Sequence, residues 1–361
     1  MYDFEDIFVF DATFDFEKLT IINRESIINI KFLTTNFFTK ILYHKFSFND
    51  NLSLTKRIIM TNKMTENKAK IVAVLVILTF GTIGIVTRFI NLSSSVIVFY
   101  RAFFGAILVY LYMLYNKQKV DLRSIRNNFF VLVLTGFFMG LNWVFSFEAY
   151  KIATVSVATV CYNTMPIFVI MISPFMFNER LSIKGIICII IAAIGILFVS
   201  NIILTGIKIE HLVGVIYGLL AAIFYALVVL FNKKLKHIST NDKILFQFIF
   251  SAVIMLVYII FVEKGSFVFS ENLPKSEIVT GVLLLLLLCV VHTAVCYITY
   301  FEAILYIKPE TIAIITYLDP MCAITLSFLI LGERMNIIQV IGAVLILIST
   351  LINEFLSFKR K

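Results

Sequence analysis

The sequence predicts an all-α polytopic membrane protein of ten transmembrane helices, arranged as two inverted-topology five-helix repeats. Three observations carry that prediction. The 361-residue chain is 60% hydrophobic and only 15% charged, against about 25% charged for an average soluble protein. Its apolar residues gather into ten runs, each near the length of about 20 residues that crosses some 30 Å of hydrocarbon as a helix. One stretch also occurs twice. Phe147-Glu148-Ala149, Pro166, Ser173 and Glu179-Arg180 return as Phe301-Glu302-Ala303, Pro320, Ser327 and Glu333-Arg334, every match at an offset of 154 residues. A register that holds without a gap is an internal duplication.

Residues 1–63 mix Phe, Ile, Asn, Asp and Lys in no steady period, and charges interrupt every apolar run before it can span a membrane. The acidic start Met1-Tyr2-Asp3-Phe4-Glu5 lacks the basic opening of a signal peptide. This part is expected to be a poorly ordered extension upstream of the true start at Met60 or Met64. The spans follow at 69–90, 96–115, 128–150, 153–177 and 183–201 in the first repeat (69–201), and at 212–231, 243–262, 278–302, 309–331 and 335–355 in the second (212–355). With both termini cytoplasmic, inner loops and tail hold 14 Lys and Arg and outer loops five, the bias of a multi-pass protein of the cell membrane. Because the two copies lie five spans apart, they cross the membrane in opposite senses. Such inverted repeats place a shared cavity near the midplane.

Several function classes fall away on composition. The net charge of +9 sits in short basic runs between spans, so no nucleic-acid partner is expected. The five cysteines, Cys161, Cys188, Cys289, Cys296 and Cys322, all lie within apolar segments and show no metal-ligand spacing. Four scattered histidines and the lack of an HExxH or nucleophile motif argue against an enzyme, and no cofactor is implied. Without a GxxxxGK[ST] loop, direct ATP drive is not expected either.

Some of these residues carry a likeness. Gly81-Thr82-Ile83-Gly84 in span one, Tyr100-Arg101-Ala102 in span two, the paired Pro166 and Pro320, the Glu-Arg pairs after them and Gly342-Ala343 in span ten resemble the drug/metabolite transporter superfamily, in its ten-span branch with two EamA-type repeats. The resemblance covers about residues 69–355 and implies a secondary transporter of amino acids, other metabolites or drugs. Export as the direction is implied by the resemblance alone.

Polar residues inside the spans are the candidates for transport. Pro166 and Pro320 fall mid-span, where proline frees the carbonyl four residues earlier, at Tyr162 and Thr316. They read either as packing kinks or as cavity-lining hinges. Ser156, Thr159, Asn163, Pro166 and Ser173 share one arc of span four, and Tyr317, Pro320 and Ser327 the matching arc of span nine. Asn163 and Tyr317, equivalents in the two halves, are the leading cavity pair. Asp319 lies near the bilayer centre, where an ionised carboxylate costs roughly 2.5–3.5 kcal/mol. It is a candidate for proton coupling, for contact with a cationic substrate group, or for a bond to a neighbouring helix. Its equivalent is Met165.

Arg101 lies about 9 Å inside span two, placed either to bind a substrate carboxylate or to pair with Glu148. Arg88 is nearer the surface and is expected to snorkel. The lone tryptophan, Trp143, shares an arc of span three with Asn142, Ser146 and Tyr150; it reads as a stacking wall or as an interfacial anchor. Tyr225 in span six and His292 in span eight complete the set, His292 with a helix-bonding role as its alternative. Glu148, Glu302, Glu179 and Glu333 near span ends read as structural.

The expected function is therefore a secondary transporter of small metabolites such as amino acids or amphipathic compounds, working by alternating access. Its partners are the lipid bilayer, a small-molecule substrate and a coupling proton, or else the substrate's own gradient. A lipid-handling or scaffold membrane protein is the alternative, because an apolar cavity needs no diagnostic residue.

Overall fold

The computed structural model describes residues 64–177, 182–202, 209–269 and 273–358. The extension 1–63, Glu179, Arg180, Lys208 and the tail Lys359, Arg360 and Lys361 lie outside the described residues.

Every expected span is occupied by helix. Span one comprises α1 (Glu66–Phe80) and α2 (Ile83–Arg88), and span two is α3 (Ser94–Tyr115). A short α4 (Leu122–Asn127) precedes span three, α5 (Phe129–Ile152). Span four is α6 (Val155–Tyr162) and α7 (Met165–Phe177), and span five is α8 (Ile183–Val199). Span six is α9 (Ile209–Asn232) and span seven α10 (Thr240–Phe261). Span eight runs as α11 (Lys275–Leu287), a π-helical segment (Leu288–Val295) and α12 (Cys296–Ala303). Span nine is α13 (Pro309–Thr316) and α14 (Leu318–Leu331), and span ten is α15 (Ile337–Phe358). Among the described residues, eight of the spans are long and apolar enough to cross a membrane, while α8 and the apolar part of α15, Ile337–Asn353, are shorter. The 17 residues of α8 rise about 25 Å, at the lower limit for a span.

Caps set many of the helix ends. Asn336 and Gln339 form a reciprocal box at the start of α15, each side chain accepting from the other's backbone N–H at 2.8 and 3.1 Å. Asp121, Thr154, Ser182 and Ser239 cap α4, α6, α8 and α10 in the simpler way. Gly332, at φ 65°, takes the left-handed turn that ends α14.

Spans one, four and nine are broken, and in spans four and nine the break falls at the same position of the repeat. The residue after α6 is Asn163 and the residue after α13 is Tyr317, one offset of 154 apart. Local side chains take up carbonyls at these breaks: Asn163 Nδ2 donates to Thr159 O at 2.8 Å, Thr164 Oγ1 to Cys161 O at 2.6 Å and Thr316 Oγ1 to Ile312 O at 2.9 Å. The expectation of prolines bending a continuous helix is corrected here. Pro166 is the second residue of α7 and Pro320 the third of α14. In a first turn the missing N–H would have no intrahelical partner anyway, so these prolines start helices. The proline that does sit inside a helix is Pro174, in α7.

Most of the packing that joins the two halves comes in pairs related by exchanging them. Span two packs on span seven, span five on span ten and span four on span nine, each against its own equivalent. Span three on six is matched by eight on one, and three on seven by eight on two. This is what a pseudo-two-fold relation between repeats produces. The loops obey it too. Ser93 and Ser95 donate to the Glu263 carboxylate at 2.9 and 2.5 Å, tying loop one–two to the end of span seven. At the opposite end Asn128 and Lys236 exchange bonds of 2.9 and 3.0 Å between loops two–three and six–seven. The α8–α15 crossing is tight: a Cβ on Gly342 would lie 2.6 Å from Gly195 O, and one on Gly195 2.8 Å from Gly342 O. Large apolar side chains such as Phe130, Phe175 and Phe261, 80–87% exposed, form the outer face that lipid covers.

Candidate functional site

Between the halves lies a cavity of about 210 Å³, lined from spans one, two, three, four, six, eight and nine. Spans three and four contribute Trp143, Tyr162, Asn163 and Pro166; span two contributes Arg101, span six Tyr225, and span nine Thr316, Tyr317 and Asp319. Most of the residues singled out in sequence thus come together here, while Ser156, Thr159, Ser173, Ser327, Pro320 and His292 do not line it. Pro320 is buried beside the cavity in the first turn of α14. His292 is also buried, and it bonds Thr82 at 2.8 Å and the Leu287 carbonyl at 3.3 Å, which makes it a link between span eight and the break of span one.

Arg101 is 3% exposed, and its expected pairing with Glu148 does not form. Its Nε donates to Thr293 Oγ1 at 2.7 Å, and the guanidinium carbon lies 4.1 Å from the centre of the Trp143 ring and 5.7 Å from that of Phe147. A desolvated cation over an indole is worth about 2 kcal/mol, so the aromatic wall holds the charge where a carboxylate partner was expected. Trp143 is buried under Arg101 rather than exposed at an interface. Arg88 also departs from expectation. Instead of snorkelling, its Nη1 donates to the carbonyls of Tyr150, Lys151 (2.8 Å) and Ala153 (3.0 Å), capping the end of α5.

Asp319 is the second residue of α14, so its carboxylate sits in the first turn, where the helix dipole favours negative charge. Gly81, at the break of span one, packs directly against this turn: a Cβ there would lie 2.9 Å from Asp319 O. Aromatic rings line the cavity together with the two charged groups. Tyr162 and Tyr225 lie 5.9 Å apart, and Phe80 meets Tyr297 and Tyr300 edge-on at 5.8 and 6.4 Å.

Tyr297 and Tyr300 line the cavity but were not singled out from sequence. The signal was in the duplication: at the offset of 154 they are the equivalents of Trp143 and Ser146. Glu333 at the end of span nine holds the fold together as expected, accepting from Val155 N at 2.8 Å and from the Ser327 hydroxyl.

Comparison with known proteins agrees with this architecture. The EamA-like transporter family matches residues 67–201 and again residues 212–354. The chain is 26% identical over 284 residues to an uncharacterized transporter, YxxF, of Bacillus subtilis, covering 78% of this chain and 88% of that one. It is 29% identical over 201 residues to an Escherichia coli protein named "Probable amino-acid metabolite efflux pump", covering 55% of this chain and 67% of the other. A solved crystal structure shares the fold at a TM-score of 0.53 and 16% identity, over 82% of this chain and 99% of that one. The chain belongs to the EamA-like transporter family and is a multi-pass membrane transporter built from two such repeats.

Proposed function

We propose that this transporter exports small zwitterionic metabolites, with amino acids as the leading class, by alternating access between its halves. The observation that carries the reading is that a cation, Arg101, and a carboxylate, Asp319, face one small aromatic cavity. Arg101 offers a fork of N–H donors matched to a carboxylate, and Asp319 is suited to an ammonium. Tyrosines and Trp143 between them accept an apolar side chain. Size points the same way. At about 210 Å³, the cavity lies below the 300–1,000 Å³ of drug-sized pockets.

The name of the Escherichia coli relative supports both the amino-acid class and the outward direction. The excess of basic residues on one set of loops supports a cell-membrane protein with both termini cytoplasmic. Asp319 also accounts for proton coupling, since a carboxylate that has taken up a proton no longer holds an ammonium. Proton and substrate then compete for one group, which yields antiport. The breaks at Asn163–Thr164 and Tyr317, with Pro166 and Pro320 starting the helices beyond them, serve as hinges. Counterflow in proteoliposomes with a pooled metabolite panel, with and without an imposed pH gradient, tests the reading. Amino acids are expected to exchange and to respond to the gradient; exchange of no pool member under any gradient refutes it.

A further inference from the structure

We propose that Thr293, set in place by the π-helical segment of span eight, is a positioning residue that aims the Arg101 guanidinium into the cavity. The inference rests on the zwitterion reading of that cavity. A threonine hydroxyl has one proton, and that of Thr293 is given to the carbonyl of Leu288, five residues earlier, at 2.9 Å. The i−5 partner is the one a π turn brings alongside, in place of the i−4 carbonyl of an α-helix. With its proton committed, the hydroxyl has only lone pairs to offer, and the Nε of Arg101 donates to it at 2.7 Å.

The consequence for Arg101 is orientation. Its Nε is held on the stem side by Thr293 and its central carbon lies 4.1 Å from the centre of the Trp143 ring, so the two terminal NH₂ groups remain for a ligand. Among the described residues no carboxylate pairs with Arg101. Two further features hold the arrangement. His292 makes a second i−5 contact, from Nδ1 to the Leu287 carbonyl at 3.3 Å, and its other ring nitrogen meets Thr82 at 2.8 Å, which fastens the π segment to span one. Gly105, one turn along from Arg101, lets spans two and eight approach: a Cβ there would lie 2.8 Å from Thr293 Cγ2. Thr293 itself is fully buried, so its hydroxyl never reaches substrate and acts through Arg101.

The test uses the full-length transporter in proteoliposomes and compares an amino acid with the amine that lacks its carboxylate. Thr293→Val is expected to raise KM for the amino acid about tenfold or more while leaving kcat, and KM for the amine, within about twofold. Thr293→Ser, which restores the hydroxyl, is expected to return KM to near the parent value. If the valine variant does not fold, Thr293→Ala, which likewise removes the hydroxyl but vacates space, gives the same readout. Arg101→Gln separates the two levels of the argument. Loss of carboxylate discrimination in Arg101→Gln but not in the Thr293 variants overturns the positioning role and leaves the cavity reading standing. Retained discrimination in Arg101→Gln overturns both.

Discussion

Glu333→Gln is expected to loosen one end of the transporter and shift its conformational equilibrium. Glu333 follows span nine and accepts the backbone N–H of Val155, at the start of span four in the other repeat, together with the hydroxyl of Ser327. Any state in which those ends part must break the bond to Val155. The repeat offers no equivalent at the opposite end, because the offset of 154 places Pro309 where Val155 stands, and proline has no N–H to donate. Under the proposed alternating access, the bond stabilises one of the two exchanging states. Hydrogen bonds to a charged group are worth about 1.5–3 kcal/mol. Glutamine keeps one acceptor oxygen but loses the charge, so a net change of about 1–2 kcal/mol follows, a fivefold to thirtyfold shift in population. Electron–electron distance measurements report it directly, with spin labels on the exposed Ile152 and Arg334 in a background lacking the five free cysteines. The longer-distance population is expected to grow by that factor, and further in Glu333→Ala. An unchanged distance distribution would refute the latch.

Two other substitutions test separate parts of the account. Asp319→Asn is expected to leave counterflow measurable but to abolish its response to an imposed pH gradient; a response equal to the parent's removes Asp319 from coupling. Gly342→Val places a side chain where a Cβ already lies 2.6 Å from Gly195 O. It is expected to cost about 1–3 kcal/mol through overpacking, read as a lower unfolding temperature in detergent, and an unaltered temperature would show that the α8–α15 crossing yields easily.

The span order, the duplication and most of the cavity wall were legible in the sequence because all three are periodic. An apolar run of span length and a constant offset need no knowledge of neighbours. Asn163 and Tyr317 were paired by offset alone, and both stand at a helix break. The breaks themselves escaped notice, since hydropathy stays high through Asn163–Thr164 and one interrupted turn leaves no mark in a twenty-residue average. The prolines drew attention a few residues too late along the chain for the same reason. Arg101 shows a different limit. Helical spacing gave its depth and face, but its partner Thr293 is 192 positions away, and the rotation of span two against span eight decides between that hydroxyl and Glu148. The π segment has no composition of its own. Leu288–Val295 reads as more apolar helix, and its backbone and the i−5 bonds of His292 and Thr293 show the π turn in the structure.

The central claim is that one cavity recognises both ends of a zwitterion. The most direct measurement is competition for counterflow by three matched compounds: an amino acid, the amine lacking its carboxylate, and the acid lacking its amino group. The account predicts that the amino acid competes at least about tenfold better than either truncated compound, since each loses a charge-assisted contact, and that Arg101→Gln removes the advantage over the amine alone. Equal competition by all three would contradict it.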